Sequence, residues 1–266
     1  MKNKILLFIA SIVLTAIPVS QLFAQAGITA KPSRLYFSGA SPKSQKITIN
    51  NPSGKPLEVG VTVSDWRYDS LGNNEIMDSK TLPTTAANSI KILPGSYFTL
   101  KANETKEITV QFSPSGSNDA GYQTGMIFFT QLNPGAATNN KGALIKVTVR
   151  VGIKLYYSPN AADETPTMAI ENLKDMNIGD KKNLQLTMLN KGKIWADGKC
   201  KWELLNTASG KKTKLPEQEF YTLPGDRRQL RMELPENLAK GKYTATAVIT
   251  YGKTKEVKAA ELEFEL

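Results

Sequence analysis

The chain has 266 residues, 40% of them hydrophobic and 22% charged, with a net charge of +10, one cysteine and no histidine. Such a length accommodates two domains of about 100–150 residues each. The missing histidines exclude Ser-His-Asp and Cys-His catalysis and the usual catalytic zinc sites, and a lone cysteine excludes an intramolecular disulfide.

The chain opens with "MKNK", two lysines ahead of the apolar run "ILLFIASIVLTAI", and small residues follow in "AQA" at Ala24 and Ala26. A short basic start, a short apolar stretch and a small-residue cleavage site predict a secretory signal peptide over residues 1–26. The run is short for a membrane span and no basic stop-transfer cluster follows it. The mature chain is therefore expected to be exported, with no membrane span.

Beyond it the pattern has period two. "RLYF", "QKITIN", "LEVGVTVSDW" and "KEITVQF" alternate apolar and polar residues, and "GMIFFTQL" is a compact apolar run that suits a strand covered on both faces. Turn signals at Asn51-Pro52, Gly72-Asn73, Pro94-Gly95 and Pro134-Gly135 separate them. The polar, proline-bearing segment "SPNAADETPT" marks a boundary, after which "NLQLTML", "CKWELLN", "RRQLRMEL", "KYTATAVITYG" and "AAELEFEL" resume the alternation. The prediction is an all-β protein of two immunoglobulin-like β-sandwich domains, residues 27–157 and 167–266, joined by a linker over 158–166. No helix longer than a turn or two is expected.

Chemistry-bearing motifs are sparse. There is no GxGxxG, P-loop or GxSxG, and the acidic residues form no recognisable pair. No enzyme activity, metal or cofactor is expected. The basic residues are spread singly along strands rather than gathered into a stripe with aromatics, so no nucleic-acid partner is expected either. Cys200 alternates with Trp202 and Leu204 and reads as a buried small apolar residue. Trp66, Trp195 and Trp202 read as core or inter-domain packing, Tyr97-Phe98 and Phe128-Phe129 as core, and "GDRRQLR" as a solvated strand face.

The stretch "LIKVTVRVGIKLYYSP", residues 144–159, is the most regular in the chain. Ile145, Val147, Val149, Val151 and Ile153 share one face, and the stretch predicts one long strand. Lying last in its domain after the loop "NPGAATNNKG", it can reach a sheet edge. Exposed apolar edges are normally an aggregation hazard, unless the edge exists to pair with a partner's strand.

"IKLYYSP" resembles the end of the last N-domain strand in the periplasmic pilus chaperones, the PapD-like family. "RLYFSG" is similar to that family's first-strand segment, and "INNPSGKPLEVGVTVSDW" to its Asn-rich turn and following strand. The sequence departs from the family where "LPGSYFTL" and "GMIFFTQL" stand. The resemblance implies a periplasmic chaperone that binds exported pilus or surface-fibre subunits by donor-strand complementation and passes them to an outer-membrane usher. It also implies roles for particular residues. Arg34 and Lys154 would hold the subunit's C-terminal carboxylate in the cleft between the domains, and Ile145, Val147 and Val149 would be the donor residues. The alternative reading is a structural or adhesive surface protein of tandem immunoglobulin-like domains. It requires residues 145–155 to be paired on both sides, with Arg34 and Lys154 far apart or bound to internal acids.

Overall fold

The computed structural model describes residues 27–114, 121–138 and 142–266, with Ala136, Ala137, Thr138 and Ile145 described for their backbone alone; the predicted signal segment lies outside the described residues. The first sandwich comprises β1 (Thr29–Lys31), β2 (Arg34–Ser38), β3 (Lys43–Asn50), β4 (Leu57–Tyr68), β5 (Asn74–Met77), β6 (Ile90–Leu93), β7 (Tyr97–Leu100), β8 (Thr105–Phe112), β9 (Gln123–Gln131), β10 (Gly135–Thr138), β11 (Leu144–Val147) and β12 (Arg150–Ser158). The second comprises β13 (Met168–Ile178), β14 (Lys181–Asn190), β15 (Ala196–Asn206), β16 (Lys212–Lys214), β17 (Gln218–Thr222), β18 (Arg227–Glu233), β19 (Lys242–Tyr251) and β20 (Glu256–Glu265). No helix occurs among the described residues.

In the first sandwich the sheet β1-β3-β8-β6 faces the sheet β2-β12-β9-β4-β5, with β7 added alongside β4. Alternation explains what lies between them. Leu35 and Phe37 of β2, Val59 and Val61 of β4, Ile127 and Phe129 of β9, and Ile153 and Leu155 of β12 are all odd-numbered. They point inward and meet Ile47, Ile49, Ile108, Val110 and Phe112 from the opposing sheet. In the second sandwich, β13-β14-β18 faces β16-β15-β19-β20 across a core that includes Leu184, Leu186, Cys200, Trp202, Ala245, Ala247 and Ile249. β9 is buried along nearly its whole length, as its unbroken apolar run predicts.

Two expectations change. Residues 144–158 do not form one strand. The ladder breaks at Thr148-Val149, so that β12 pairs with β9 while β11 turns away to form a hairpin with β10, Ala137 opposite Ile145. Alternation is blind to this, because each half satisfies its backbone against a different neighbour. Tyr97 is exposed, not core; it sits on β7, which pairs with β4, and its neighbour Phe98 faces inward instead.

Candidate functional site

The outer face of the large sheet is not left to solvent. Its even-numbered residues, Arg34 and Tyr36 on β2, Lys154 and Tyr156 on β12, Met126 and Phe128 on β9, and Trp66 and Tyr68 on β4, stand side by side. Trp66, Tyr68, Met126, Phe128 and Tyr156 are buried together with Leu223 of the second sandwich, and Trp195 and Tyr221 of the second sandwich pack against them. This third core joins the two units. Tyr156 is its hub, stacked on Tyr36 at 5.0 Å and within 5.5 Å of the Trp66 ring and 5.3 Å of Trp195. Each such aromatic contact adds about 0.5–1.5 kcal/mol beyond the area it buries. Trp66 has no polar atom left over, since its Nε1–H donates to the Gly125 carbonyl at 2.9 Å.

Arg34 and Lys154 meet on this face. β2 and β12 run parallel, with Arg34 directly opposite Lys154 in the register. The Lys154 Nζ donates to the Tyr68 hydroxyl at 2.9 Å and lies 4.5 Å from the Trp66 ring centroid and 4.3 Å from that of Tyr68. The Arg34 guanidinium lies 3.9 Å above the Tyr221 ring of the second sandwich, and its buried Nε has no hydrogen-bond partner. Among the described residues neither cation forms an ion pair, whereas the surface pairs Lys46–Glu107 and Arg227–Glu171 are closed at 2.7 and 2.6 Å. Burial, reinforced by the charges of Arg34 and Arg228, pulls the Lys154 ammonium down to about 8. Two like charges half withdrawn from water with no counter-ion are an unfavourable arrangement, which a carboxylate placed between them would relieve.

The pair borders a cleft of about 380 Å³ whose other walls include Ile76, Met126, Phe128 and Gly152.

Arg228 is a third cation that the sequence reading placed on a solvated strand face. Its neighbour Arg227 is solvated and bound bidentately to Glu171 at 2.6 and 3.0 Å. Arg228 points instead into the joint, where its Nε and Nη1 are buried without hydrogen-bond partners, and burial lowers its pKa. Its guanidinium lies against Gly72, where a Cβ would sit 1.8 Å from Nη1. The Gly72 φ of +86° also favours glycine in that turn. One residue on, the Gln229 amide donates to the Ser70 carbonyl at 2.7 Å, a backbone bond between the sandwiches. Asp226 is pushed up to about 6 by burial, and its carboxylate accepts the Leu223 amide at 2.7 Å.

Of the donor residues, Val147 is 55% exposed on β11, beside Leu144 at 65%. Val149 is half-buried and lies so close to Gly27 that a Cβ there would come within 2.6 Å of Val149 Cγ2.

No protein-family model and no curated protein matches the chain. Solved structures do. The crystal structure of the Class 5 fimbriae chaperone CfaA is similar over 89% of this chain and 98% of that one, with a TM-score of 0.50 and 11% identity. A chain from the chaperone–tip subunit pre-assembly complex CsuC–CsuE of Acinetobacter baumannii aligns over 90% of this chain and 98% of its own length, with a TM-score of 0.48 and 15% identity. The E. coli chaperone DraB aligns over 90% and 96%, with a TM-score of 0.46 and 15% identity. At this identity the likeness to CfaA is one of fold, and the two β-sandwiches described above are the fold it shares.

Proposed function

We propose that the chain is an exported assembly chaperone, not an enzyme. It holds the C-terminal carboxylate of a β-rich fibre subunit between Arg34 and Lys154 and lends residues 145–149 as a strand to the subunit's incomplete sheet. The observation that carries the reading is the pair of cations in direct register on the face between the sandwiches, each packed on aromatic rings and neither neutralised by an acid among the described residues. A carboxylate fixed at that point sets the register of every residue behind it, which a uniform β-ladder leaves loose. The exposed Val147 and Leu144 lie on β11, the strand immediately before the one that carries Lys154. Export through the segment 1–26, delivery to an outer-membrane usher and the donor roles of Ile145, Val147 and Val149 belong to the same proposal. The tandem surface-protein reading needs Arg34 and Lys154 separated or internally paired, and their side-by-side placement speaks against it.

Co-purification from the periplasm of a host that makes the chain's own fibre subunits tests this. The wild type is expected to bring down a small β-rich exported polypeptide, and Arg34→Ala, still folded by circular dichroism, to lose it. If the variant retains the same partner equally well, the anchor is wrong.

A further inference from the structure

The cleft beside the cations is lopsided. One end carries Arg34 and Lys154, and the rest is mostly apolar, with Ser33 and Asn74 as polar wall residues. Met126 and Phe128, 4% and 8% exposed, form its floor, and Ile76 of β5, 43% exposed, is a wall. The register explains the floor. Met126 is opposite Lys154 on the ladder, and Phe128 is opposite Gly152, so the position next to Lys154 on this face of β12 carries no side chain. Met126 and Phe128 lean over that gap. A Cβ on Gly152 would come within 2.9 Å of Phe128 Cε1 and 3.0 Å of Met126 Sδ. Any larger residue there would push both side chains up into the cleft. Glycine weakens a strand interior, and its use here keeps a backbone surface clear beside a charged anchor. Arg150, two residues further along the same face, lies over the Phe128 ring at 3.6 Å.

The geometry points to an apolar side-chain subsite adjoining the carboxylate anchor: the cleft takes a chain terminus whose last residue is large and apolar. This rests on the proposed function and adds to it a chemical class of client. When a terminal carboxylate lies between Arg34 and Lys154, the last Cα is one bond away, and its side chain has the floor of Met126 and Phe128 within reach. A thioether and the edge of a ring adapt to aliphatic or aromatic side chains. Arg150, Arg34 and Lys154 together repel a terminal lysine or arginine.

The test uses the full mature chain and acetylated tetrapeptides of one sequence ending in Phe, Leu, Ser or Lys, with the Phe peptide also as its C-terminal amide and hexanoate as a small amphiphilic acid. Binding is followed through the NMR signal of the Trp66 indole N–H. The Phe and Leu acids are expected to bind about tenfold to a hundredfold more tightly than the Ser acid, with Lys weakest. Gly152→Val should remove that preference while leaving the acid better than the amide. Ile76→Ser, a change at an exposed wall, should weaken the preference even if Gly152→Val does not fold. If acids outbind the amide but Phe, Leu and Ser bind alike, the subsite is wrong and the anchor stands. If acids and amide bind alike, or none binds, the anchor fails and the subsite with it. Hexanoate binding as tightly as the Phe acid would make this a site for free amphiphilic acids and overturn the assignment to a chain terminus.

Discussion

Replacing Lys154 with methionine is expected to stabilise the unliganded protein and to cost it the client. The ammonium donates to the Tyr68 hydroxyl and sits on the Trp66 and Tyr68 rings, with Arg34 beside it and no ion pair to a carboxylate among the described residues. Burial and the neighbouring guanidiniums lower its pKa from the ordinary lysine value to about 8. The unfolded chain therefore binds the proton more tightly than the folded one. Between about pH 8 and 10.5 the unfolded state carries more protons, so folding stability rises with pH across that window. Below pH 8 the full cost of the buried charge is present in the wild type. Methionine keeps the apolar stem and removes the charge, so Lys154→Met should gain about 1–2 kcal/mol at pH 7, after allowance for solvent screening at a partly exposed group. That gain should vanish by about pH 10.5. The same variant should lose about 2 kcal/mol or more of affinity for a free chain terminus, about thirtyfold. Wild-type affinity should be flat from about pH 5 to 7.5 and fall above 8 as the free protein's lysine loses its proton. Urea unfolding at pH 7 and 10.5, alongside peptide titration, reads both effects. A variant less stable than wild type at pH 7 would show that the Tyr68 hydrogen bond and the ring contacts outweigh the cost of burial, and that Lys154 is not poised for a ligand.

Asp65→Ala should be among the most damaging single changes in the first sandwich, at about 3–5 kcal/mol. Asp65 is fully buried at the end of β4. Its Oδ2 accepts the Thr81 and Leu82 amides, both at 2.8 Å, and its Oδ1 accepts the Thr85 hydroxyl at 2.6 Å. Alanine leaves three donors without an acceptor. The segment it releases also carries Ala86, packed against Gly125 beneath the cleft floor, and the bridge from Thr85 to Thr124. Asn should recover only part of the loss, since its amide NH₂ meets donors where an acceptor is required. A urea midpoint for Asp65→Ala within about 1 kcal/mol of wild type would mean that the segment is held by its backbone contacts instead.

The sequence reading and the structure agree wherever a contact obeys strand parity. Ile153 and Leu155 face the core, and Lys154, between them, faces the other way; this follows from a period of two and nothing else. Trp66 and Trp202 are buried and Trp195 packs at the joint, all within the predicted range. The pairing of Arg34 with Lys154 was legible only through the resemblance of "RLYFSG" and "IKLYYSP", because a parallel contact across 120 residues leaves no local trace. The contribution of the second sandwich was not legible. Tyr221, Leu223 and Arg228 come from strands and turns whose alternation looks like that of any half-exposed sheet; parity sets Arg228 on the face of Leu230 and Met232, opposite Arg227, but only docking of the two units gives it the first sandwich as a neighbour. The break at Thr148-Val149 was invisible for a related reason: residues on either side of it are equally good strand formers, and the partner decides.

Cys200 lies on β15 in the core of the second sandwich, fully buried, with burial pushing its thiol up to about 12. With no second cysteine in the chain, the fold owes nothing to oxidation. The thiolate needed for alkylation forms readily only when β15 opens to water. The chain thus carries its own clock. The labelling rate of one native thiol counts openings of the second sandwich alone, leaving the first silent, and any client that clamps the two sandwiches together should slow it without touching β15.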